Sequence, residues 1–343
     1  MKRFNAQSFK YVALTKELKP IRDISAYVEE GGKIEYNALT RLKANCTIPI
    51  SIAINEVLNL DAIRVFHVIN GIEECLGTFL ISTPIKEFED EVQSVECVGY
   101  STLWRISSNS SDNKYYVPEG TNAVAEVKRI LTMLGFSFSI PDCDKVTNTN
   151  REWDLGAAYL DIINDLLEVV NYTSLYVDAY GEYIAMPYVL PQDRTIDLTL
   201  NDTQIDNIIE PTQTNELDLF NVPNKFIRYC SSTPTLSLFA VYENTDGITG
   251  TNNTWVNTDV QEVLDVSDYD TLYEICKRDC ANAISIYNKV QIAIAITMLP
   301  TYMPTIQLKH YQANGKYTCT SFVIELEVGG SQELNLRKAV ILS

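Results

Sequence analysis

Apolar and polar residues alternate along the first hundred positions in the manner of β-strands. The alternation runs through the segments KANCTIPISIAI, AIRVFHVI, ECLGTFLIST and EVQSVECVGYSTLW. Asn70 and Gly71 separate the second and third segments, and Asn-Gly is a strong hairpin signal because both central residues of a type I′ turn need positive φ. The polar stretch SSNSSDN at residues 107–113 then interrupts the pattern. This part of the chain is therefore predicted to be a strand-rich domain over residues 1–112, ending at a solvated boundary.

The apolar spacing changes to that of a helix after this boundary. Thr121 or Asn122 can cap the start of the helix, and Gly135 supplies the left-handed position just past its end. Apolar residues recur at helical intervals between these signals, at Val124, Val127, Leu131 and Leu134.

A second helix and a hairpin follow. The helix has an apolar stripe made by Leu160, Ile163, Leu166, Leu167 and Val170. The segment TSLYVDAYGEYIAM then indicates a hairpin whose four-residue turn runs from Asp178 to Gly181, the residue that most easily takes positive φ. Residues 113–200 are therefore predicted to form a small α+β domain.

The last part of the chain returns to strands, with one helix among them. The strand segments are PNKFIRYC, LSLFAVYEN, VQIAIAITML and YTCTSFVIELEV. The helix is predicted from residues on one face, namely Leu272, Ile275, Cys276, Cys280, Ala283, Ile284 and Tyr287. The turn-rich segment DGITGTNNTW at residues 246–255 is predicted to be a mobile loop. The fold class is thus mainly β with an α+β insertion.

The length and the net charge of the chain restrict its number of domains and the classes of function that it can have. A chain of 343 residues is long enough for two or three domains. Its formal net charge of −18, spread along the chain, argues against binding nucleic acid through the phosphates, so no specific nucleic-acid binding is expected. The basic N-terminal start is followed by no apolar segment typical of a secretory signal. No apolar run approaches the roughly 20 residues that a membrane span needs.

Candidate metal and catalytic residues have simpler interpretations. Cys276 and Cys280 lie four residues apart, but His67 and His310 are the only histidines and neither has a partner at ligand spacing, so packing is favoured over a metal site. The eight cysteines are interpreted as reduced core thiols. The acidic segments at residues 87–91 and 259–270 lack the register of a calcium loop, which favours a solvated turn or a helix start.

No catalytic, cofactor-binding or metal-binding residue is predicted, and no cofactor. The chain has no nucleophile elbow, no dinucleotide-binding glycine motif and no phosphate-binding loop. We expect that it is not an enzyme.

A series of short phrases carries more information than any single motif. A V-x-C-x-GY-x-x-L phrase ends the first β region, P-x-GT opens a helix that ends in glycine, and LDIINDLL, LYVDxxGxY and PNKF follow in order. In this order the chain resembles the central baseplate hub of tailed bacteriophages and related contractile particles. The residues that carry the resemblance are Gly99, Tyr100, Gly120, Thr121, Gly135, Asp178, Gly181, Pro223 and Asn224.

The resemblance implies an architecture and an assembly. Two tube-like β-barrel domains, at residues 1–112 and 201–343, would flank the α+β domain at residues 113–200. Three subunits would form a homotrimeric ring that joins a sixfold tail tube to a threefold spike and lets DNA or the tape-measure protein pass. Closing the barrels through neighbouring subunits would also cover exposed strand edges.

The resemblance also implies partners and a location. The partners would be the tail tube or a tube-initiator protein, the spike protein, the tape-measure protein and other baseplate proteins. The protein would lie in the virion tail baseplate after assembly in the host bacterial cytoplasm. Since the last predicted strand ends close to Ser343, a contractile tail or a tailocin with a separate spike is favoured.

Some alternatives stay open. The acidic surplus can line the ring so that a threading polymer does not adhere, or it can serve ordinary solubility. A tail-associated carbohydrate or receptor binder is the second hypothesis, and a wall-degrading enzyme is the third, because paired carboxylates across a cleft suffice for glycoside hydrolysis.

Overall fold

The computed structural model describes residues 6–53, 61–82, 85–89, 92–201, 212–215, 222–230, 238–247, 249–285, 288–310, 313–340 and 342. The described residues are mainly β, with 44% in strands and 16% in helices, as the alternating pattern predicts.

The elements begin with β1 (Gln7–Leu14), β2 (Pro20–Asp23), a 3₁₀ turn (Ser25–Tyr27), β3 (Gly32–Asn37), β4 (Ala44–Ala53), β5 (Ala62–Ile69), β6 (Ile72–Ile81), β7 (Ile85–Glu89) and β8 (Val92–Ser101). They continue with α1 (Trp104–Ser107), β9 (Tyr115–Val117), α2 (Ala123–Met133), β10 (Phe138–Ser139), β11 (Arg151–Trp153), α3 (Tyr159–Val169), β12 (Tyr176–Val177) and β13 (Tyr183–Ile184). The remainder is β14 (Leu198–Asn201), β15 (Thr212–Asn215), β16 (Lys225–Cys230), β17 (Leu238–Glu243), β18 (Thr258–Glu262), α4 (Tyr269–Ser285), β19 (Asn288–Ala295), β20 (Thr305–Lys309), β21 (Asn314–Leu326) and β22 (Ser331–Lys338).

One large sheet unites the two ends of the chain. Its strand order is β15-β19-β22-β21-β3-β4-β8-β6-β5-β1-β2, with β20 and β14 attached beside β21 and β7 attached beside β8. The antiparallel pairing of β21 with β3, which sets Phe322 opposite Tyr36, joins the two β regions. Among the strands that the structure describes, β15 and β2 end this order and do not pair with each other, so no closed barrel forms there.

The core of this sheet is shared by both β regions. Tyr36 stacks on Phe322 with 4.7 Å between ring centroids. Its buried hydroxyl donates to the carbonyl of Leu76 at 2.6 Å. Ile34, Ile48 and Ile63 from the first region pack in the same cluster as Leu334 and Leu336 from the last.

The middle of the chain forms a small α+β unit with its own core. Helices α2 and α3 pack together, and their buried faces hold the predicted apolar residues except Leu134 and Val170, which follow the last residue of each helix. The hairpin β12–β13 is extended by β10, which runs parallel to β13, and β9 pairs with β11. These short strands β9, β10 and β11 are not visible in the sequence pattern.

A third unit contains helix α4 and three strands. The sheet has the order β17-β16-β18, with β18 parallel to β16. Helix α4 packs on β16 and β17, and the resulting core is separate from that of the large sheet. The predicted helix is thus present, but it packs on this small sheet; Tyr287 lies outside the described residues.

The chain departs from the predicted pattern at the first boundary. The strand prediction runs to Trp104, but β8 ends at Ser101 and Trp104 begins the short helix α1. The predicted solvated break at residues 107–113 is also only partly solvated, because Ser111 is buried and its amide donates to the carbonyl of Ala157 at 3.0 Å. Of the acidic segment at residues 87–91, Asp90 and Glu91 lie outside the described residues.

Candidate functional site: the junctions between the units

The turn that ends β12 is held in one shape by its own residues. The carboxylate of Asp178 accepts hydrogen bonds from the amides of Tyr180 at 2.9 Å and Glu182 at 2.8 Å. Gly181 has φ +92°, as predicted for the end of this turn. A side-chain acceptor at the first position and glycine at the fourth therefore make a rigid projection.

This projection docks on the large sheet. The carbonyl of Ala179 accepts a hydrogen bond from the Thr78 hydroxyl at 2.8 Å and one from the Cys75 thiol at 3.3 Å. The Arg64 guanidinium donates to the carbonyl of Tyr180 at 3.1 Å and lies 5.2 Å from the centroid of its ring. The turn thus connects the α+β unit to β5 and β6.

Close packing beside the turn requires Gly181. A Cβ atom at this position would lie 3.0 Å from Leu18 Cδ1 and 3.4 Å from Thr102 Cγ2. The hydroxyl of Tyr183 donates to the carbonyl of Thr102 at 2.8 Å, and burial raises the pKa of Tyr183 to about 12. The phrase LYVDxxGxY is therefore a docking element between two units.

Gly99 and Tyr100 serve the large sheet itself. Gly99 lies opposite Cys46 in the β4–β8 ladder, and a Cβ atom there would lie 2.6 Å from Cys46 Sγ and 2.9 Å from Phe79 Cβ. Burial raises the pKa of the Cys46 thiol, which keeps it protonated. The neighbouring Tyr100 is 36% exposed. The tight strand contact in this phrase is therefore made at Gly99.

Gly120, Thr121 and Gly135 shape the two ends of α2. Gly120 has φ +80° and Gly135 has φ +75°, which confirms the predicted left-handed position after the helix. The two caps that the sequence leaves open are distinguished. Asn122 Oδ1 accepts from the amide of Ala125 at 2.8 Å, whereas the Thr121 hydroxyl donates to the carbonyl of Pro118 at 2.7 Å.

Asn224, in the phrase PNKF, organises the loop at residues 246–255. Its side chain is fully buried, whereas the preceding Pro223 is half-buried. Its amide nitrogen donates to the carbonyls of Thr249 at 3.0 Å and Trp255 at 2.9 Å, and its oxygen accepts from the amide of Asn257 at 2.9 Å. The loop predicted to be mobile is therefore held by one side chain at two points, Thr249 in its first half and Trp255 at its end.

A buried cation that was not predicted from the sequence holds α4 to its sheet. Arg228 is 2% exposed, and its guanidinium lies 2.7 Å from carboxylate oxygens of both Asp279 on α4 and Asp259 on β18. Its place on the strand, between apolar residues that face the core, is the signal that indicates a buried charge.

Polar contacts join the α+β unit to the α4 unit. The side-chain amide of Asn148 donates to the carbonyls of Val266 at 2.6 Å and Ser267 at 2.7 Å. On α4, Arg278 lies 3.4 Å from the carboxylate of Glu168 and donates to Asn171 at 3.2 Å. This junction depends on hydrogen bonds and ion pairs between the two units.

The motif residues do not converge on one chemical site. Asp178 and Gly181 meet the large sheet, Pro223 and Asn224 support the α4 unit, and the others shape single elements.

Burial raises the pKa of Cys276 to about 11 and that of Cys280 to about 12, so both are thiols in the core at neutral pH. All eight cysteines are free, and seven of them are buried.

The described residues contain no group of three or more histidine, cysteine, aspartate or glutamate side chains placed to hold a metal ion. None of the helices in the described part of the chain is long and apolar enough to cross a membrane.

Solved structures of tail proteins have this fold. The 43 kDa tail protein of prophage MuSo2 from Shewanella oneidensis is 9% identical, with a TM-score of 0.65 over 96% of this chain and 98% of that one. The tail protein of Neisseria meningitidis MC58 is 11% identical, with a TM-score of 0.65 over 96% of this chain and 97% of its own.

A secretion component is also similar. The E. coli c3393 protein, a component of the type VI secretion system described as structurally similar to the T4 bacteriophage tail proteins gp27 and gp5, is 10% identical, with a TM-score of 0.55 over 92% of this chain and 74% of that one. No protein-family profile and no curated protein matches the sequence.

The chain therefore has the fold of phage tail proteins, and the resemblance predicted from its ordered phrases is confirmed at the level of the fold. The expectation that the chain is not an enzyme agrees with this likeness.

Proposed function

We propose that this protein is a structural hub subunit of a phage tail baseplate or of a related contractile particle. The observation that carries the proposal is the likeness of fold along nearly the whole length of both this chain and the solved tail proteins. The junctions agree with a structural role, since the shape of each depends on turns, packing and buried hydrogen bonds.

The proposed assembly is a homotrimeric ring between a sixfold tail tube and a threefold spike. Each subunit would contribute two tube-like β domains, at residues 1–112 and 201–343, with the α+β domain at residues 113–200 between them. The two ends of the large sheet, β2 and β15, would be covered by neighbouring subunits, because unpaired strand edges invite further pairing.

The proposed partners are the tail tube or tube-initiator protein, the spike protein, the tape-measure protein and other baseplate proteins. The net charge of −18 would then keep DNA or tape-measure protein from adhering to the ring as it passes, since like charges repel. A ring whose bore is neutral or basic would contradict this part of the proposal.

Mass measurement and electron microscopy test the assembly. We expect the purified protein, at high concentration, to form particles of three times 38.7 kDa, seen as threefold rings with a central hole. A monomer that persists at high concentration and after addition of its tube and spike partners would contradict the hub.

A second candidate function is recognition of a carbohydrate or receptor. Trp255 is 80% exposed at the end of the loop anchored by Asn224, and an exposed aromatic ring on a fixed loop is suited to binding. Binding of the protein to host cell walls, lost in Trp255→Ala and retained in Val256→Ala, would support this function. Equal binding by the two variants would exclude Trp255 as the contact.

A further inference from the structure

The sheet β17-β16-β18 is covered by helix α4 on one face, where Phe226, Arg228 and Tyr242 are buried. The opposite face is apolar, and none of its side chains belongs to an apolar core formed by the described residues. This outer face consists of Ile227, Tyr229, Phe239, Val241 and Val260.

The strand register places the side chains of the outer face next to one another. Ile227 lies opposite Val241 on β17 and Val260 on β18, and Tyr229 lies opposite Phe239. Phe239 is 62% exposed and Val260 is 57% exposed. Single exposed apolar residues are common, but a contiguous group of them marks an interaction surface.

Charged residues on the same face restrict the partner. Glu243 lies opposite Lys225, and Glu262 lies opposite Tyr229, so all of these side chains share the outer face. Both glutamates are exposed, and Lys225 lies 3.6 Å from Glu243. Two carboxylates against one ammonium group disfavour the pairing of two outer faces, because like charges would then meet.

The surface of β1, β2 and β5 has the complementary character. Lys10 and Val12 on β1 lie opposite Phe66 and Arg64 on β5, on the face turned away from the buried Tyr11. A groove of about 370 Å³ runs over this surface. The residues of this hairpin face are Lys10, Val12, Pro20, Ile21, Arg22, Asp23, Arg64 and Phe66.

The hairpin face is basic in a strongly acidic chain. Lys10 forms an ion pair with Glu73 at 2.8 Å, but Arg22 and Arg64 form none with the described residues. The carboxylate of Asp23 accepts a hydrogen bond from the Ser25 hydroxyl at 2.6 Å. A surface that combines apolar side chains with carboxylates therefore fits this face.

We propose that the outer face of one subunit docks on the hairpin face of the next copy of this chain. The apolar side chains of both faces form the centre of the contact, and the charged side chains form its rim. A contact between two different faces is head-to-tail, and such contacts close into a ring when the rotation between copies allows it. This contact rests on the proposed homotrimeric ring and adds to it the two surfaces that meet.

Photocrosslinking tests the contact directly. p-Benzoylphenylalanine replaces the exposed Phe239 in a mixture of ¹⁴N- and ¹⁵N-labelled protein, so that mass spectrometry separates crosslinks between copies from those within one copy. We expect crosslinks between copies to peptides from β1, β2 or β5. The same amino acid at the exposed Leu155, which lies outside both faces, is the control and should give none to these peptides.

Charge reversal supplies a second measurement. Arg22→Glu and Glu262→Lys, both at exposed positions, should each raise roughly tenfold the protein concentration at which half of the subunits are assembled. The variant with both changes should recover most of the loss, because the two faces again carry opposite charges. Asp154→Lys, at an exposed position of the α+β unit, should leave this concentration unchanged.

The results distinguish this contact from the proposed function. Trimers without a crosslink from position 239 to β1, β2 or β5 of another copy would overturn the docking and leave the ring intact. Crosslinks that form only with an added tube or spike protein would also overturn it, and would assign the outer face to that partner. A protein that stays monomeric with and without these partners would overturn both proposals.

Discussion

Replacing Asn224 by alanine should destabilise the α4 unit more than any other single change in its loop. The fully buried side chain makes hydrogen bonds of 3.0, 2.9 and 2.9 Å, all to backbone groups at residues 249, 255 and 257. Alanine would remove all three bonds and leave two carbonyls and one amide without this partner.

The magnitude follows from the number of bonds. A buried hydrogen bond contributes about 1 kcal/mol net, and a buried group left without a partner costs about 1–3 kcal/mol. Three bonds therefore predict a loss of about 3 kcal/mol. Asn224→Asp should cost at least as much, because a carboxylate would face two carbonyl oxygens in place of the amide donor.

Hydrogen exchange followed by mass spectrometry is the suitable assay, since it measures the opening free energy of each unit separately. We expect the loss in the amides of β16 and α4, with α2 and α3 unchanged. Asn252→Ala is the matched control, because Asn252 lies in the loop that Asn224 holds and has an exposed side chain. A loss below about 1 kcal/mol for Asn224→Ala would refute the reasoning from bond count.

Three further changes have expected outcomes of their own. Arg228→Met should cost about 1–3 kcal/mol in urea unfolding, because the partly exposed carboxylates of Asp259 and Asp279 lose a buried partner; an unchanged or increased stability would contradict this. Burial lowers the pKa of Lys43 from 10.5 to about 8, so the unfolded state binds more protons between these values. Stability should therefore rise with pH across that window, by up to about 3 kcal/mol, and the rise should be absent in Lys43→Met. Gly99→Ala should lower the free energy of unfolding by about 1–3 kcal/mol in thermal unfolding, because the new methyl group would lie 2.6 Å from Cys46 Sγ. An unchanged melting temperature would mean that β4 and β8 can move apart without cost.

Local chemistry explains what could be predicted from the sequence. Asn70 and Gly71 have φ values of 51° and 82°, as a type I′ turn requires, and β5 and β6 meet across them. Gly135 and Gly181 likewise adopt positive φ where a helix and a hairpin turn demand it. Each of these features depends on residues within a few positions, so the pattern of neighbours contains the information.

Contacts between distant residues explain what could not be predicted. The pairing of β3 with β21 and the parallel pairing of β16 with β18 depend on which edges meet in space, and alternation alone does not specify a partner. Asn224 looks like an ordinary strand position in the sequence, and its role appears only when a distant loop surrounds it. The alternation on β16 indicates that Arg228 is buried, but it does not reveal its carboxylate partners, Asp259 and Asp279. The short strands β9 to β11 have too few residues to show a period.

The pairing of β3 with β21 has a consequence for synthesis. A nascent chain that has left the ribosome with β3 and β4 exposes an unpaired edge and part of a core until β21, which begins only at Asn314, has also been synthesised. The α+β unit, whose contacts are closer along the chain, can fold earlier. Long-range pairing of this kind slows folding, so a shape that can assemble with other subunits should arise only after β21 has been released and has paired with β3.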